Sequence, residues 1–227
     1  MKRLALSILL IPAALAQSGL QVGESAGAVE LLSLERFPVS MNNYAEHRGT
    51  VIALLSARDQ RTDAVADSLR SLNQQYRRKK VMLLSVFPDP DQTPAEIRAY
   101  CQARGLNFPV YQDPGLKTTR RLGASYTPEF FLLDKDGKLI FRGSASTLGS
   151  VLEAFVSGAA LPATEPSVEG TPIGAKLPAR QIENPFGAIG FSSELIFDSI
   201  PGFPAHHCSS IAEAKNGDLI VIWYGGS

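Results

Sequence analysis

The middle of the chain switches between continuous apolar runs and stretches with helical spacing. Residues 50–56 and 80–87 are apolar runs of the kind found in strands that are buried on both faces of a sheet. Between them, apolar side chains recur at intervals of three and four, which places them on one face of a helix over residues 61–78. These side chains are Val65, Leu69, Leu72 and Tyr76. The order strand, helix, strand indicates the start of an α/β unit.

A second helix is marked by signals at its two ends. Thr93 supplies a capping side chain, Pro94 suits the first turn, and Glu96 is placed to complete a capping box. The helix is expected to stop at Gly105. The elements predicted after it are a strand at 108–111, a short helix at 114–122, a hairpin of strands 130–134 and 138–143, and a helix at 148–157. Residues 49–158 therefore predict an α/β domain with a mixed sheet.

The composition changes after Gly158. Residues 159–180 are rich in Pro, Ala, Gly and Thr and have little apolar periodicity, which is typical of a linker. A new segment begins near Gln181 and contains a strand over 217–224, with no further strand after it to complete a sheet. The predicted organisation is a domain at 17–160, a linker at 161–180 and an incomplete β segment at 181–227.

The N-terminus has the features of an export signal. A positively charged start is followed by an apolar run over residues 4–14, and the sequence ALA at 14–16 fits the small-x-small cleavage pattern. A membrane anchor is the alternative, but the run contains Pro12, is short for a membrane span and has no stop-transfer flank. The sequence predicts a signal peptide at residues 1–16 and cleavage before Gln17. The mature protein is then expected in the periplasm or outside the cell, without a stable membrane anchor.

Charge and cysteine content exclude several classes of protein. The chain has 22 basic and 22 acidic residues, and the basic ones are scattered, so no surface for nucleic acid or an anionic membrane is predicted. The one basic cluster, at residues 77–80, falls at the end of a predicted helix, where positive charge suits the helix dipole. The only cysteines are Cys101 and Cys208, in different predicted segments. No disulfide scaffold is expected.

Three stretches of the α/β region resemble a known family. They are YTPEFFLLDKDG at 126–137, FPVYQDP at 108–114 and RLGA at 121–124. Together with the predicted order of strands and helices, they are similar to the thioredoxin-like redoxins of the alkyl hydroperoxide reductase and thiol-specific antioxidant (AhpC/TSA) group over about residues 32–160. The resemblance implies a thioredoxin-like three-layer α/β fold with a central mixed β-sheet. It also implies a thiol-dependent antioxidant oxidoreductase activity.

The resemblance locates a candidate redox site. In that family a Thr-Pro pair before the hairpin has a cis peptide bond and faces the reactive cysteine. Thr127 and Pro128 match this pair, so a cis bond is expected in preference to a trans proline that opens an edge strand. The family's cysteine lies where the first long strand ends and a helix begins, because a helix N-terminus lowers the pKa of a thiol. In this sequence Asp59 falls at the cysteine position, and Gln60 falls where a proline often follows.

The substitution at the cysteine position changes the expected chemistry. A carboxylate cannot attack a peroxide or exchange disulfides, so we interpret Asp59 as a helix cap. Cys101 lies within a predicted helix and is interpreted as a buried structural thiol, although its use as an unusual nucleophile is the alternative. Some of these redoxins carry a second cysteine after the last helix in a Gly-Cys-Pro-Ile-like motif. Residues 169–173 resemble that motif with Thr171 at the cysteine position.

The C-terminal end resembles a different fold. FPAHHCSSI at 203–211 and the strand that ends in Trp223 and Tyr224 are similar to the opening of a sialidase-type (BNR-repeat-like) β-propeller, which is built from repeated four-stranded blades. The resemblance implies a propeller downstream, with a glycan or protein partner. The adjacent residues His206, His207 and Cys208 lack the second ligand pair of a structural zinc site, so no metal site is predicted.

Three functions follow from these observations. The first is an exported thioredoxin-like module without redox activity, which serves as an accessory or interaction domain of a sialidase-like protein. The second is a thiol-dependent antioxidant oxidoreductase of the peroxiredoxin or thioredoxin type. The third is a glycan hydrolase whose catalytic residues lie beyond Ser227, because Glu213 and Asp218 are too few to build its carboxylate pair. No cofactor is indicated for any of the three.

Overall fold

The computed structural model describes residues 19–162, 170–180, 205–213 and 219–226. The chain divides into two units, residues 1–187 and residues 188–227, and each unit is described by itself. The predicted signal peptide and the first part of the predicted β segment, up to residue 204, lie outside the described residues.

A seven-stranded mixed sheet forms the centre of the first unit. Its strands are β1 (Val29–Ser33), β2 (Pro38–Met41), β3 (Gly49–Leu54), β4 (Val81–Phe87), β5 (Val110–Gln112), β7 (Glu129–Asp134) and β8 (Leu139–Gly143), and β6 (Tyr126–Thr127) belongs to a separate small sheet. The strand order is β2-β1-β5-β4-β3-β7-β8. Strand β3 runs parallel to β4 and antiparallel to β7, so the predicted mixed sheet is confirmed.

Four α-helices belong to the described part of this unit: α1 (Gln60–Tyr76), α2 (Pro94–Arg104), α3 (Lys117–Leu122) and α4 (Ala145–Ser157). Helix α3 begins later than the sequence predicts, because Leu116 adopts a left-handed conformation with φ of 55° and the Asp113 carboxylate accepts the backbone N–H of Lys117 at 2.9 Å. None of the helices in the described ranges combines the length and apolar character needed to cross a membrane.

The central strands are apolar on both faces because each face packs against its own hydrophobic core. On β3, Val51 and Ala53 face a core built with α1, α2 and α4. The alternate residues Ile52 and Leu54 face a second core, which contains Leu122 of α3 and the N-terminal part of the domain. Successive side chains of a strand point to opposite faces of the sheet, and here both faces are buried. The sequence therefore shows a continuous apolar run, whereas a strand with one exposed face would alternate apolar and polar residues.

The hairpin of β1 and β2 was not predicted from the sequence. Strand β1 pairs antiparallel with β5, and β2 is an edge strand whose residues are exposed or half-buried. Both strands are short, and Glu30 and Pro38 interrupt their apolar pattern. The position of the hairpin is therefore decided by its pairing with β5, which is distant in the sequence.

Residues 170–180 were placed in the linker by their composition, but in the structure they lie against the domain. Strand β9 (Thr171–Pro172) pairs antiparallel with β6. Proline and glycine suppress a periodic pattern, so composition alone did not reveal a segment held by a few backbone and side-chain contacts.

The second unit contains an antiparallel hairpin in its described residues. Strand β10 (Ala205–Glu213) pairs with β11 (Leu219–Gly226), and the register shifts between Cys208 and Ser210. The strand predicted at 217–224 thus has a partner, which precedes it in the sequence.

Two phenylalanines offer a matched test of the core. Phe130 on β7 is 0% exposed, whereas Phe37 before β2 is 67% exposed. We expect Phe130→Ala to lower the free energy of unfolding by about 3–5 kcal/mol, because burial is lost and a cavity forms. Phe37→Ala is expected to cost less than about 0.5 kcal/mol. Urea unfolding followed by circular dichroism measures both, and equal losses would contradict the placement of Phe130.

Candidate functional site

The candidate site lies where β3 ends and α1 begins. Asp59 is the N-cap residue of α1, and its Oδ1 accepts a hydrogen bond from the backbone N–H of Arg61 at 2.9 Å. The residue is only 5% exposed, and its backbone is extended at φ −94° and ψ 122°. Gln60 is the first residue of the helix and is exposed. The capping contact expected from the sequence is therefore present, and it engages Oδ1 of the carboxylate with the helix backbone.

Thr62 is a further residue of this site that the sequence analysis missed. Its side chain is fully buried, and its Oγ1 accepts a hydrogen bond from the backbone N–H of Ser56 at 3.2 Å. Redox motifs of the Cys-x-x-Cys type place two cysteines three residues apart near a helix N-terminus. Asp59 and Thr62 have that spacing, which is the signal that could have identified Thr62.

Gln92 fixes the loop between β3 and α1 from the opposite side. Its Nε2 donates to Ser56 Oγ at 2.6 Å, and its Oε1 accepts the backbone N–H of Ala57 at 3.1 Å. Gln112 on β5 donates in turn to the backbone carbonyl of Gln92 at 2.9 Å. The side chains of Gln92 and Gln112 are buried, so this network ties the loop to the sheet through hydrogen bonds shielded from water. Nothing local in the sequence distinguishes Gln92 from an ordinary loop residue.

Arg58 and Glu96 join the same loop to α2. Nε and Nη2 of Arg58 donate to the two carboxylate oxygens of Glu96 at 2.8 and 2.9 Å, and the side chains are 12% and 13% exposed. These hydrogen bonds raise the pKa of Arg58 above its ordinary value. The predicted capping box is half formed: Thr93 Oγ1 accepts the N–H of Glu96 at 3.2 Å, but the Glu96 carboxylate binds the guanidinium. A partly buried, bidentate ion pair is the stronger interaction for that carboxylate.

The peptide bond between Thr127 and Pro128 is cis. Thr127 and Ser56 line one small cleft, together with Pro88 and Asp89 from the loop after β4. Thr171 lines the same cleft from the other side and lies directly opposite Thr127 in the pairing of β6 with β9. The structure therefore brings together Thr127 and Thr171, two of the positions that the resemblance singled out.

Asp63, one turn into α1, binds two arginines that are distant in the sequence. Its Oδ2 lies 2.9 Å from Arg104 Nη2 and 2.7 Å from Arg180 Nη2. The hydrogen bond to Asp63 raises the pKa of Arg180, and the charge of Asp59 contributes to the same shift. The two carboxylates at the start of α1 are thus balanced by guanidinium groups from α2 and from residues 170–180.

Cys101 does not take part in this site. It lies on α2, is 7% exposed and packs in the core with Ile97 and Leu106. Burial raises the pKa of its thiol to about 12. A nucleophilic cysteine needs the opposite environment, partly exposed and with a lowered pKa. His206, His207 and Cys208 lie on β10, and their side chains are outside the described part of the structure.

Comparison with known proteins identifies the domain. The sequence profile of the AhpC/TSA family matches residues 22–142, which is more than half of the chain. The chain belongs to the AhpC/TSA family. Among curated proteins, the AhpC/TSA domain is similar to the thiol-disulfide oxidoreductase ResA of Bacillus anthracis and of Bacillus thuringiensis strain Al Hakam, each 30% identical over 88 residues. These matches cover 39% of this chain and span 50% of the length of the relatives.

Solved structures confirm the thioredoxin-like fold. A hypothetical protein from Sinorhizobium meliloti 1021 is similar with a TM-score of 0.61 at 19% identity, over 68% of this chain and 94% of that one. The thioredoxin domain of a thiol-disulfide oxidoreductase from Bacteroides vulgatus is similar with a TM-score of 0.52 at 17% identity, over 61% of this chain and 99% of that one. At these identities the likeness concerns the fold and says nothing of activity.

The capping role of Asp59 can be measured directly. We expect Asp59→Ala to lower the free energy of unfolding by about 1 kcal/mol, because the N–H of Arg61 loses its acceptor. Asp59→Asn keeps a side-chain oxygen at the same place and is expected to be close to neutral. Thermal and urea unfolding of the two variants beside the wild type give the comparison. An Ala variant as stable as the Asn variant would show that the cap contributes nothing.

Proposed function

We propose that the AhpC/TSA domain of this chain is a non-catalytic module that binds a partner and does not exchange disulfides. The observation that carries this proposal is Asp59, a buried carboxylate that caps α1 at the place where the family's reactive cysteine is expected. A helix N-terminus favours any negative group, so it accommodates a carboxylate as readily as a thiolate. A carboxylate, however, cannot form the mixed disulfide on which thiol exchange depends.

The state of the remaining thiol in this domain supports the proposal. With a pKa raised to about 12, Cys101 is protonated at neutral pH, and its sulfur is enclosed in the core between α2 and the sheet. Attack on a disulfide or a peroxide needs an accessible thiolate. The alternative function, an oxidoreductase that uses Cys101 as its nucleophile, therefore requires both burial and protonation to be reversed.

The scaffold around the site supports a binding role. Gln92, through buried hydrogen bonds, and the partly buried Arg58–Glu96 pair hold the loop after β3 by contacts that involve no sulfur. A loop fixed in this way presents a defined surface to a partner, and its shape does not depend on a redox state. The absence of a cysteine at position 59 therefore removes thiol exchange from this site and leaves the loop after β3 in place.

We further propose that the module is exported and precedes a sialidase-like propeller, through which the whole protein meets a glycan or protein partner. The signal-like residues 1–16 motivate the first part, and the sequence around β10 and β11 motivates the second. A propeller blade is a four-stranded antiparallel sheet, and the antiparallel hairpin β10–β11 could supply two neighbouring strands of one blade. Hydrolysis of a glycan, if the whole protein performs it, would belong to residues beyond Ser227.

Redox assays of the full chain test the non-catalytic role. We expect no turnover above background in insulin disulfide reduction with dithiothreitol and none in thiol-dependent consumption of hydrogen peroxide. The reason is that the site carries Asp59 and Thr62 and the Cys101 thiol is buried and protonated. Cys101→Ala and Cys208→Ala variants serve as controls and should match the wild type. Turnover that disappears in Cys101→Ala would overturn the proposal in favour of the oxidoreductase.

Export and domain organisation have their own test. Expressed with its native N-terminus in a Gram-negative host, the protein is expected in the periplasmic fraction with Gln17 as its first residue, as read by intact-mass spectrometry. Genomic sequence past Ser227 is expected to encode repeated four-stranded blades. A cytoplasmic protein that retains Met1, or a stop codon directly after Ser227, would contradict the corresponding part of this proposal.

A further inference from the structure

Residues 170–180, here called the strap, return across the domain after α4. The strap is attached at three places. Strand β9 pairs with β6, the backbone carbonyl of Leu177 accepts a hydrogen bond from Arg58 Nη1 at 3.2 Å, and Arg180 binds Asp63 at 2.7 Å. All three attachment points surround the loop after β3 and the start of α1, so the strap follows the edge of the candidate site.

The first attachment uses backbone groups. Thr171 faces Thr127 in the register of β6 and β9, and the N–H of Ile173 donates to the carbonyl of Ser125 at 2.9 Å. Gly170 makes this approach possible. A Cβ at that position would lie 2.7 Å from Tyr126 Cβ and 2.9 Å from the Thr127 carbonyl oxygen, which is too close for any other residue without movement of the backbone.

The other two attachments are charged. Arg58 already binds Glu96 and turns its remaining guanidinium nitrogen toward the Leu177 carbonyl. Arg180 and Asp63 are 28% and 18% exposed, which makes their pair stronger than an ordinary surface ion pair. The charges of the site, placed on α1 and in the loop before it, therefore hold the strap in position.

The strap closes the cleft at the cis-proline loop. Ser56, Asp89 and Thr127 form the domain side of the cleft, and Thr171, Ile173 and Leu177 are among the strap residues that form the other side. Without the strap, the backbone groups of β6 that pair with β9 would be a free strand edge. Such edges bind extended polypeptides by strand addition.

We infer that the strap is a releasable internal ligand, which covers the strand edge of β6 and must leave before an extended segment of a partner protein can bind there. This inference rests on the proposed binding role and names the class of partner. The contacts of the strap are weak enough to permit its release. Only two residues of β9 pair with β6, and the strap residues are half-buried or exposed, whereas β3 is fully buried. Elements with few buried apolar contacts open at lower free-energy cost than the core.

Hydrogen exchange of the full chain, read by mass spectrometry, tests release. We expect Arg180→Gln, which removes a charge-assisted hydrogen bond, to accelerate exchange in peptides covering 125–128 and 171–177 by about tenfold or more. Gly170→Ala, whose Cβ would clash with β6, is expected to accelerate exchange in the same peptides. Exchange in β3 and β7 should stay unchanged. Arg98→Gln breaks the surface pair with Glu35, and Gly115→Ala adds a Cβ that meets no neighbour, so both serve as matched controls. Exchange that is unaltered, or that rises throughout the sheet, would overturn the inference.

A locked variant tests the covered edge. Thr127 and Thr171 face each other across an antiparallel pair, a geometry that accepts a disulfide after Thr127→Cys and Thr171→Cys in a Cys208→Ser background. The probe is a fluorescent synthetic peptide of residues 168–180. It is expected to bind the Gly170→Ala variant and not to bind the oxidised locked variant. Binding should return in a protein that combines Gly170→Ala with the two cysteines in their reduced form. Equal binding to open and locked forms would refute the covered edge. Redox turnover by the wild type would contradict the proposed function without altering either strap result.

Discussion

Strand β3 is the constraint on which the rest of the domain depends. It is hydrogen-bonded to β4 on one edge and to β7 on the other, and all its residues are buried. A strand enclosed in this way cannot shift in register without moving both hydrophobic cores, because a slip of one residue exchanges the two faces. The position where β3 ends is therefore fixed, and with it the loop at 55–59 and the N-terminus of α1.

The N-terminus of α1 explains why a carboxylate fits at the candidate site. Unpaired backbone N–H groups and the helix dipole favour a negative group at the start of α1, and Asp59 supplies one by accepting the N–H of Arg61. A thiolate placed there would be reactive, whereas a carboxylate only caps the helix. Thr62 satisfies the backbone of Ser56 in the same manner. Asp59 and Thr62 each meet a structural need of the backbone at this point, independently of any redox chemistry.

Charge at this site connects parts of the chain that are otherwise separate. Arg58 links the loop after β3 to α2 and to the strap, and Asp63 binds arginines from both of those elements. These side chains are partly buried, so removing one member of an ion pair costs more than it would at the surface, because a charge is left without its partner. The start of α1 thus acts as the attachment point for residues 170–180, whose composition is that of a linker.

The sequence by itself determined the features that depend on neighbouring residues. The apolar runs located β3 and β4, Thr93 and Asp59 marked two helix starts, and the motif around Pro128 indicated the family and so the thioredoxin-like fold. Only the tertiary structure decided the long-range contacts: Gln92 reaches Ala57 across 35 residues, Arg58 reaches Glu96 across 38, and Arg180 reaches Asp63 across 117. It also decided the β1–β2 hairpin and the path of the strap. Periodicity and capping depend on residues that are close in the sequence, so they can be predicted from it. The partner of a buried polar group depends on which distant elements the fold brings together, and no local sequence pattern indicates this.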